Sequence, residues 1–395
     1  MKIPFPFLAL FLSFSASILA QDDLVKKVYQ QNEAVHEQGY QFTEEVSLDV
    51  LPIKNQASSG TCWSYATTSF VESEMLRKGK TPVDLSEMFT VRQVYKDKAE
   101  RYVRLHGHLN FAQGGATPDV LYVLKKYGAV PYYEYRGLEY GEEKNKHSEL
   151  ESVLKNMLDA VIKNPNGRLS TAWKSAVEST LNAYLGDYPE SFNYDGKTYT
   201  PRTFADKIVD INPDDYVQIT SFINEDMHRN VFIEVPDNWS WATAFNVPLD
   251  EMIDNLDNAL DNGYTVSWAT DVSEKGFSVH NGIAIVPAKP FETMSDEEKK
   301  AVFQSPTEEL KITPELRQQA YDNYETTDDH GMHIVGRSVD QNGTKYYLVK
   351  NSWGEIENPY KNGYVYCSEN FVRYKTISLM MHRDALTKKT KRRIP

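Results

Sequence analysis

Asn55-Gln56-Ala57-Ser58-Ser59-Gly60-Thr61-Cys62-Trp63 is the stretch that decides how this chain folds. A run of small and polar residues ends on a cysteine. Beyond it Ala66, Phe70, Val71, Met75 and Leu76 recur at helical spacing until Gly79 stops the pattern. The spacing predicts a helix over 61–78 with Cys62 in its first turn. Unpaired N–H groups and the positive end of the helix dipole favour thiolate there, so the thiol is expected below its free pKa of about 8.5. A cysteine nucleophile needs a base, and the far end of the chain offers one. Asp329-His330-Gly331 lies upstream of Lys350-Asn351-Ser352-Trp353-Gly354-Glu355, whose asparagine amide can hold an imidazole in one tautomer.

Two other histidines compete for the base. His333 alternates to the opposite side of an extended strand from His330, and His280 heads an apolar run that no Asn-Ser-Trp-Gly follows. Asp329 reads equally as a bias on the imidazole charge and as a surface loop acid. Trp353 reads as a shield over the His330–Asn351 contact or as core packing. Gly114-Gly115 reads as a close-approach backbone site or as a simple turn.

Gln56, Ser58-Ser59-Gly60 and Cys62-Trp63, followed downstream by His330-Gly331 and Asn351-Ser352-Trp353-Gly354, together resemble the papain-like cysteine peptidases. The serine-bearing variant of the first motif is similar to their bleomycin hydrolase and aminopeptidase C branch. Ser59 leaves nothing to form the disulfide that secreted papains carry beside the nucleophile. The resemblance implies an α+β fold, with a helical left half carrying Cys62 and an antiparallel right half carrying His330 and Asn351. It implies peptide-bond hydrolysis through an acyl-thioester on Cys62, with no cofactor and no metal. The Cys62 N–H and the Gln56 amide fit as donors to the oxyanion, a role the resemblance implies for Gln56, and it implies that Gly114 and Gly115 meet the substrate backbone; Trp353 is taken with them as a substrate-side residue. The branch carries a large helical insertion and forms closed hexameric rings, so a homo-oligomer is expected. Its own C-terminal segment lies in the cleft, where the carboxylate meets the substrate's α-amine.

His330 follows Cys62 by 268 positions, against roughly 130–150 in the papain branch. The surplus falls on a block about 140–260, where 149–161, 170–185, 203–209 and 248–260 show helical spacing, and a helical insertion decorating the cleft is expected there. Earlier, Thr117-Pro118 opens a helix ending before Gly128. Later the text turns to strands at 264–269, 282–286, 333–338 and 345–350, with a hairpin turn at Gln341-Asn342-Gly343-Thr344.

A formal charge of −13 speaks against a nucleic-acid surface. The tail 387–395 is locally basic, unlike the branch's arm, and reads as a solvated terminus. Inside the cleft it would repel an ammonium; outside, it would leave the cleft open. Aminopeptidase is therefore the first reading, an open-cleft endopeptidase the second, and a non-catalytic peptide-binding protein of the same fold a third. Residues 1–20, with Lys2, an apolar centre and Ala20 before Gln21-Asp22-Asp23, read as a signal peptide, so an exported protein is expected. No other stretch approaches the roughly 18 apolar residues of a membrane span. Of the two cysteines, Cys367 sits in Tyr364-Val365-Tyr366-Cys367 and reads as a buried strand residue; pairing it with Cys62 would consume the nucleophile.

Overall fold

The computed structural model describes residues 21–31, 39–164 and 167–394, and the export signal read over 1–20 lies outside the described residues. Two cores meet along the helix Cys62–Arg77, whose residues from Cys62 to Met75 are buried on every side. Apolar side chains of this helix, Trp63, Phe70, Val71 and Met75, join Leu85, Met88 and Phe89 in the first core. Its small polar residues face the sheet. The Thr67 and Ser267 hydroxyls lie 2.9 Å apart, and Ser69 Oγ meets His333 Nδ1 at 3.0 Å and accepts from Lys350 Nζ at 2.8 Å. Those bonds satisfy hydroxyls that burial would otherwise strand.

The second core packs against an eleven-stranded, mostly antiparallel sheet. His330–Val339 is its central strand, paired antiparallel with Val266–Thr270 on one side and Lys345–Lys350 on the other. Tyr364–Ser368 follows Lys345–Lys350, and Cys367 lies buried in it as a free thiol. The hairpin after Val339 forms as read, with Asp340 Oδ1 accepting from the Asn342 and Thr344 N–H groups. The helix Pro118–Lys126 also forms, but Thr117 does not cap it; its hydroxyl donates to Gln218 Oε1 at 3.2 Å.

The middle block differs from its reading in two respects. Ser148–Ile162 and Ala172–Leu185 are helices, yet they bury Leu150, Leu154, Leu158, Val177, Leu181 and Leu185 in the same core as the Cys62 helix. They thicken the left half and do not decorate the cleft. Beyond Val209 the block is no longer helical insertion: Tyr216–Thr220, Asn230–Phe232 and Thr243–Asn246 extend the main sheet, joined to it where Ile219 faces Leu379 of the strand Thr376–His382. The helix Leu249–Asp261 then packs its apolar face into the sheet core. No helix among the described residues is long and apolar enough to cross a membrane.

The basic tail is ordered as far as it is described. Thr387 caps the short helix Lys388–Lys391, Thr390 is buried against Asn255 and Glu251, and Arg393 Nη1 reaches His228 Nε2 at 2.7 Å. The basic side chains of the tail are solvent-exposed as expected, but the segment is held in place, because Glu251 draws both the Thr390 hydroxyl and Lys389 onto the helix Leu249–Asp261.

Candidate active site

Each element places one side chain. The turn before the helix is fixed from within and from outside: Ser59 Oγ donates to the Gln56 carbonyl at 2.7 Å and lies 2.6 Å from Thr61 Oγ1, while the Gly60 N–H donates to Gln113 Oε1 at 2.7 Å. Ser59 therefore braces by hydrogen bonds a turn with no disulfide beside it. Gln113, not foreseen from the sequence, also takes the Trp63 indole N–H on its carbonyl at 3.2 Å. With the turn held, Cys62 begins the helix at one wall of a cavity that His330 and Gly331 also line. Gly331 lets the strand approach the helix closely: a Cβ there would press on the Trp63 backbone, 3.1 Å from its Cα and 3.2 Å from its N.

His330 is 2% exposed. Its Nε2–H donates to Asn351 Oδ1 at 2.8 Å, and the same oxygen accepts from the Ser352 N–H at 2.7 Å, so the amide cannot turn without losing both bonds. With the proton on Nε2, Nδ1 is a bare acceptor, buried and unpartnered. Trp353 lies over the ring at 4.6 Å between centroids. It covers the imidazole and does not line the cavity. His333 points to the other side of the strand, into the Ser69 contact, and His280 packs edge-on against Tyr29.

Gln56 is fully buried. Its Nε2 donates to the Ser59 carbonyl at 2.8 Å and its Oε1 accepts from Ser352 Oγ at 2.6 Å, so the amide is oriented from both halves of the protein. One of its two N–H bonds is thereby taken. Gly114 and Gly115 do line the cavity. A Cβ on Gly115 would strike the Trp63 ring at 2.7 Å, and one on Gly114 would strike the Asp237 carboxylate at 1.8 Å. Asp329 is no surface loop acid: its carboxylate accepts from the Val272 and Ser273 N–H groups at 2.9 and 3.3 Å.

The electrostatics overturn one expectation. Burial pushes the Cys62 thiol up to about 12, helped by the carboxylates of Asp328 and Asp237, and the N–H groups of Gly331 and Trp63 recover only part of the shift. Desolvation outweighs the helix terminus here. Burial likewise brings His330 down to about 4 against the opposing Asn351 bond. In the empty site the pair is therefore neutral thiol and neutral imidazole.

Ile233, Val235, Asp237 and Asn238, from the segment between the strands Asn230–Phe232 and Thr243–Asn246, line the cavity beside Gly114, and none of the described tail residues does. Sequence reasoning missed Asp237 and Asp328. The Asp328-Asp329-His330 run was a local signal for the second; nothing local marks the first.

The family model described as Peptidase C1-like matches residues 13–394. Among curated proteins, the chain is 22% identical over 392 residues to Aminopeptidase G of Lactobacillus delbrueckii subsp. lactis, covering 88% of this chain and 84% of that one. It is 23% identical over 384 residues to Aminopeptidase C of Lactococcus lactis subsp. cremoris, covering 87% and 84%. Among solved structures, the crystal structure of PepW from Lactobacillus rhamnosis HN001 superposes with a TM-score of 0.69 at 19% identity, over 94% of this chain and 86% of the other.

Proposed function

The chain belongs to the Peptidase C1-like family, and from that premise we infer that it is a cysteine aminopeptidase acting on peptides, with Cys62 as nucleophile. One observation carries the reading: Cys62 and the unpartnered, buried Nδ1 of His330 share one cavity, with the ring's other nitrogen tied to Asn351. The reaction needs the thiol to meet Nδ1 across that shared cavity. The proton passes from sulfur to Nδ1 as sulfur bonds the peptide carbonyl carbon, and the resulting imidazolium returns it to the leaving amine as the C–N bond breaks. Water then cleaves the thioester by the same route in reverse. The Cys62 N–H and the free N–H of Gln56 are the donors for the oxyanion. Asn351 keeps Nδ1 the accepting nitrogen throughout.

The aminopeptidase reading draws on the names of the curated relatives and on the Asp237 carboxylate that lies against Gly114 in the cavity. An epoxide that alkylates thiols should label Cys62 stoichiometrically, and a free peptide should be cleaved faster than its N-acetylated form. Equal rates would leave an endopeptidase, and no labelling would leave a binding protein. Export and ring assembly belong to the same proposal. Amino-terminal sequencing of secreted protein should begin near Gln21, and light scattering should give a mass several times that of one chain.

A further inference from the structure

The cavity beside Cys62 carries three carboxylates, Asp237, Asp328 and Asp329, and neither lysine nor arginine lines it. Asp329 is occupied by two backbone N–H groups. The others are not so held. Asp237 takes a single donor on its carboxylate, Asn110 Nδ2 at 2.8 Å, and its other oxygen lies against Gly114. Asp328 accepts no hydrogen bond and makes no ion pair among the described residues, and burial together with Asp237 and Asp271 pushes it up to about 8. Lys98, buried and hydrogen-bonded to the carbonyls of Ala112, at 3.0 Å, and Gly114, opposes the rise of the Asp237 carboxyl but does not line the cavity.

An acidic cluster alone is an ordinary surface feature. This one shares its cavity with a second group that awaits a partner, the buried Nδ1 of His330, at the point where a scissile carbonyl must sit. A ligand that satisfies both ends has a carbonyl carbon at Cys62 and a cation a short distance away toward Gly114. A peptide's first residue offers that pairing.

We propose that Asp237 and Asp328 form the subsite for the substrate's α-ammonium group, with Asp237 also closing the cleft beyond Gly114 to longer peptides. The subsite rests on the aminopeptidase reading above and names what enforces it: side chains of the sheet extension and of the histidine strand's approach, while the described tail packs elsewhere. Two consequences follow from one placement. The carboxylate against Gly114 takes the space a further substrate residue would need, and its charge favours an unblocked amine over an acetylated one. The bound cation also offsets the charge of the Asp237 carboxylate and favours loss of the Asp328 proton to the solvent in place of a buried unpaired charge, so the correct substrate eases ionisation of its own nucleophile.

The test compares the coumarin amides of alanine and N-acetylalanine on wild-type protein, Asp328→Asn, Asp237→Asn and Asp237→Glu. Asp328→Asn is the decisive variant, since it removes the group that would ionise against a bound ammonium and breaks no hydrogen bond. Each asparagine variant should lower kcat/KM for the free amine by about 10- to 100-fold, mainly through KM, as expected for losing a charged contact. The acetylated substrate should be unaffected or improved, and Asp237→Glu should restore part of the preference. Without substrate, alkylation of Cys62 by uncharged iodoacetamide should speed up severalfold in Asp237→Asn, and in Asp328→Asn only above about pH 8, where wild-type Asp328 is ionised. Folded asparagine variants that keep the wild-type ratio of free to acetylated hydrolysis would overturn the subsite. A wild-type enzyme that labels at Cys62 yet cleaves both substrates equally would instead overturn the aminopeptidase reading.

Discussion

Replacing Asn351 with alanine tests the reasoning at its most constrained point. The Asn351 side-chain oxygen accepts from His330 Nε2 at 2.8 Å and from the Ser352 N–H at 2.7 Å, and the residue is buried. During the reaction the ring becomes an imidazolium, so the first of these is a bond to a charged group when it matters. Such a bond contributes about 1.5–3 kcal/mol, which is roughly 10- to 100-fold in kcat/KM. Ground-state binding of peptide does not use it, so the loss belongs in kcat. The second bond adds a structural cost of about 1–3 kcal/mol for a stranded buried N–H, seen as a lower melting temperature. The pH profile gives an independent sign. The Asn351 bond favours the charged ring and works against burial, so its removal makes His330 less basic and moves the acid limb of kcat/KM to lower pH. Asn351→Asp should do the reverse, because a carboxylate stabilises the imidazolium. The assay is kcat/KM from pH 3 to 9 on each variant, alongside circular dichroism. A folded Asn351→Ala enzyme within about threefold of wild type, with its acid limb unmoved, would refute the orienting role.

Three further outcomes are expected. Asp328 sits well above the range of an unfolded aspartate, so between about pH 4 and 8 the folded protein binds the extra proton and its stability falls as pH rises. Asp237, Asp271, Asp329, Cys62 and His330 surround or adjoin it. Asp328→Asn should therefore raise the melting temperature at pH 8 while leaving it nearly unchanged at pH 4, and an equal shift at both would contradict the assignment. Gly115→Ala forces a methyl to 2.7 Å from the Trp63 ring and 2.9 Å from Asp119 Oδ2. Overpacking of this kind costs about 1–3 kcal/mol, and because Trp63 follows Cys62 the activity should fall with the stability. Lys54→Met leaves the buried Glu72 and Glu87 without the ammonium that stands 3.2 and 2.6 Å from them. Breaking a buried pair on one side costs about 3–5 kcal/mol, and the deficit in thermal melts should shrink at pH 5, where Glu87, already raised to about 7, is protonated.

What could be read in advance follows the range of the forces involved. Cys62 at a helix start, His330 and His333 on opposite sides of one strand, and the hairpin closed by Asp340 depend on residues within a few positions of each other, and local patterning carries them. The strand Tyr216–Thr220 depends on Thr376–His382, about 160 positions away, and its five residues sit among Asn, Asp and Pro that read as loop. Pairing of that range leaves no periodic trace in so short a segment. Asp237 was invisible for the same reason, since its position against Gly114 is a property of the sheet extension and not of its neighbours in sequence. The thiol's ionisation failed differently. A helix terminus is legible as a local feature, whereas the desolvation that overrides it depends on everything packed around Cys62, including both missed carboxylates.

The neutral state of the pair then has a mechanistic meaning. A thiol held up to about 12 beside an imidazole brought down to about 4 keeps its proton on sulfur until the balance of charge around it changes. Burial cannot be what changes, because substrate excludes still more water. The helix terminus and the Gly331 N–H are fixed parts of the frame and act equally with the site empty or full. The quantities that substrate can alter are the protonation and charge balance of Asp237 and Asp328 and the oxyanion forming under the Cys62 N–H. An amine placed at the first, with its carbonyl at the second, lowers the cost of thiolate where and when attack occurs. On the proposed subsite, a buried, protonated nucleophile flanked by carboxylates works as a selective device: electrophiles that bring no cation react with it, but more slowly than those that place a cation at Asp237 and Asp328.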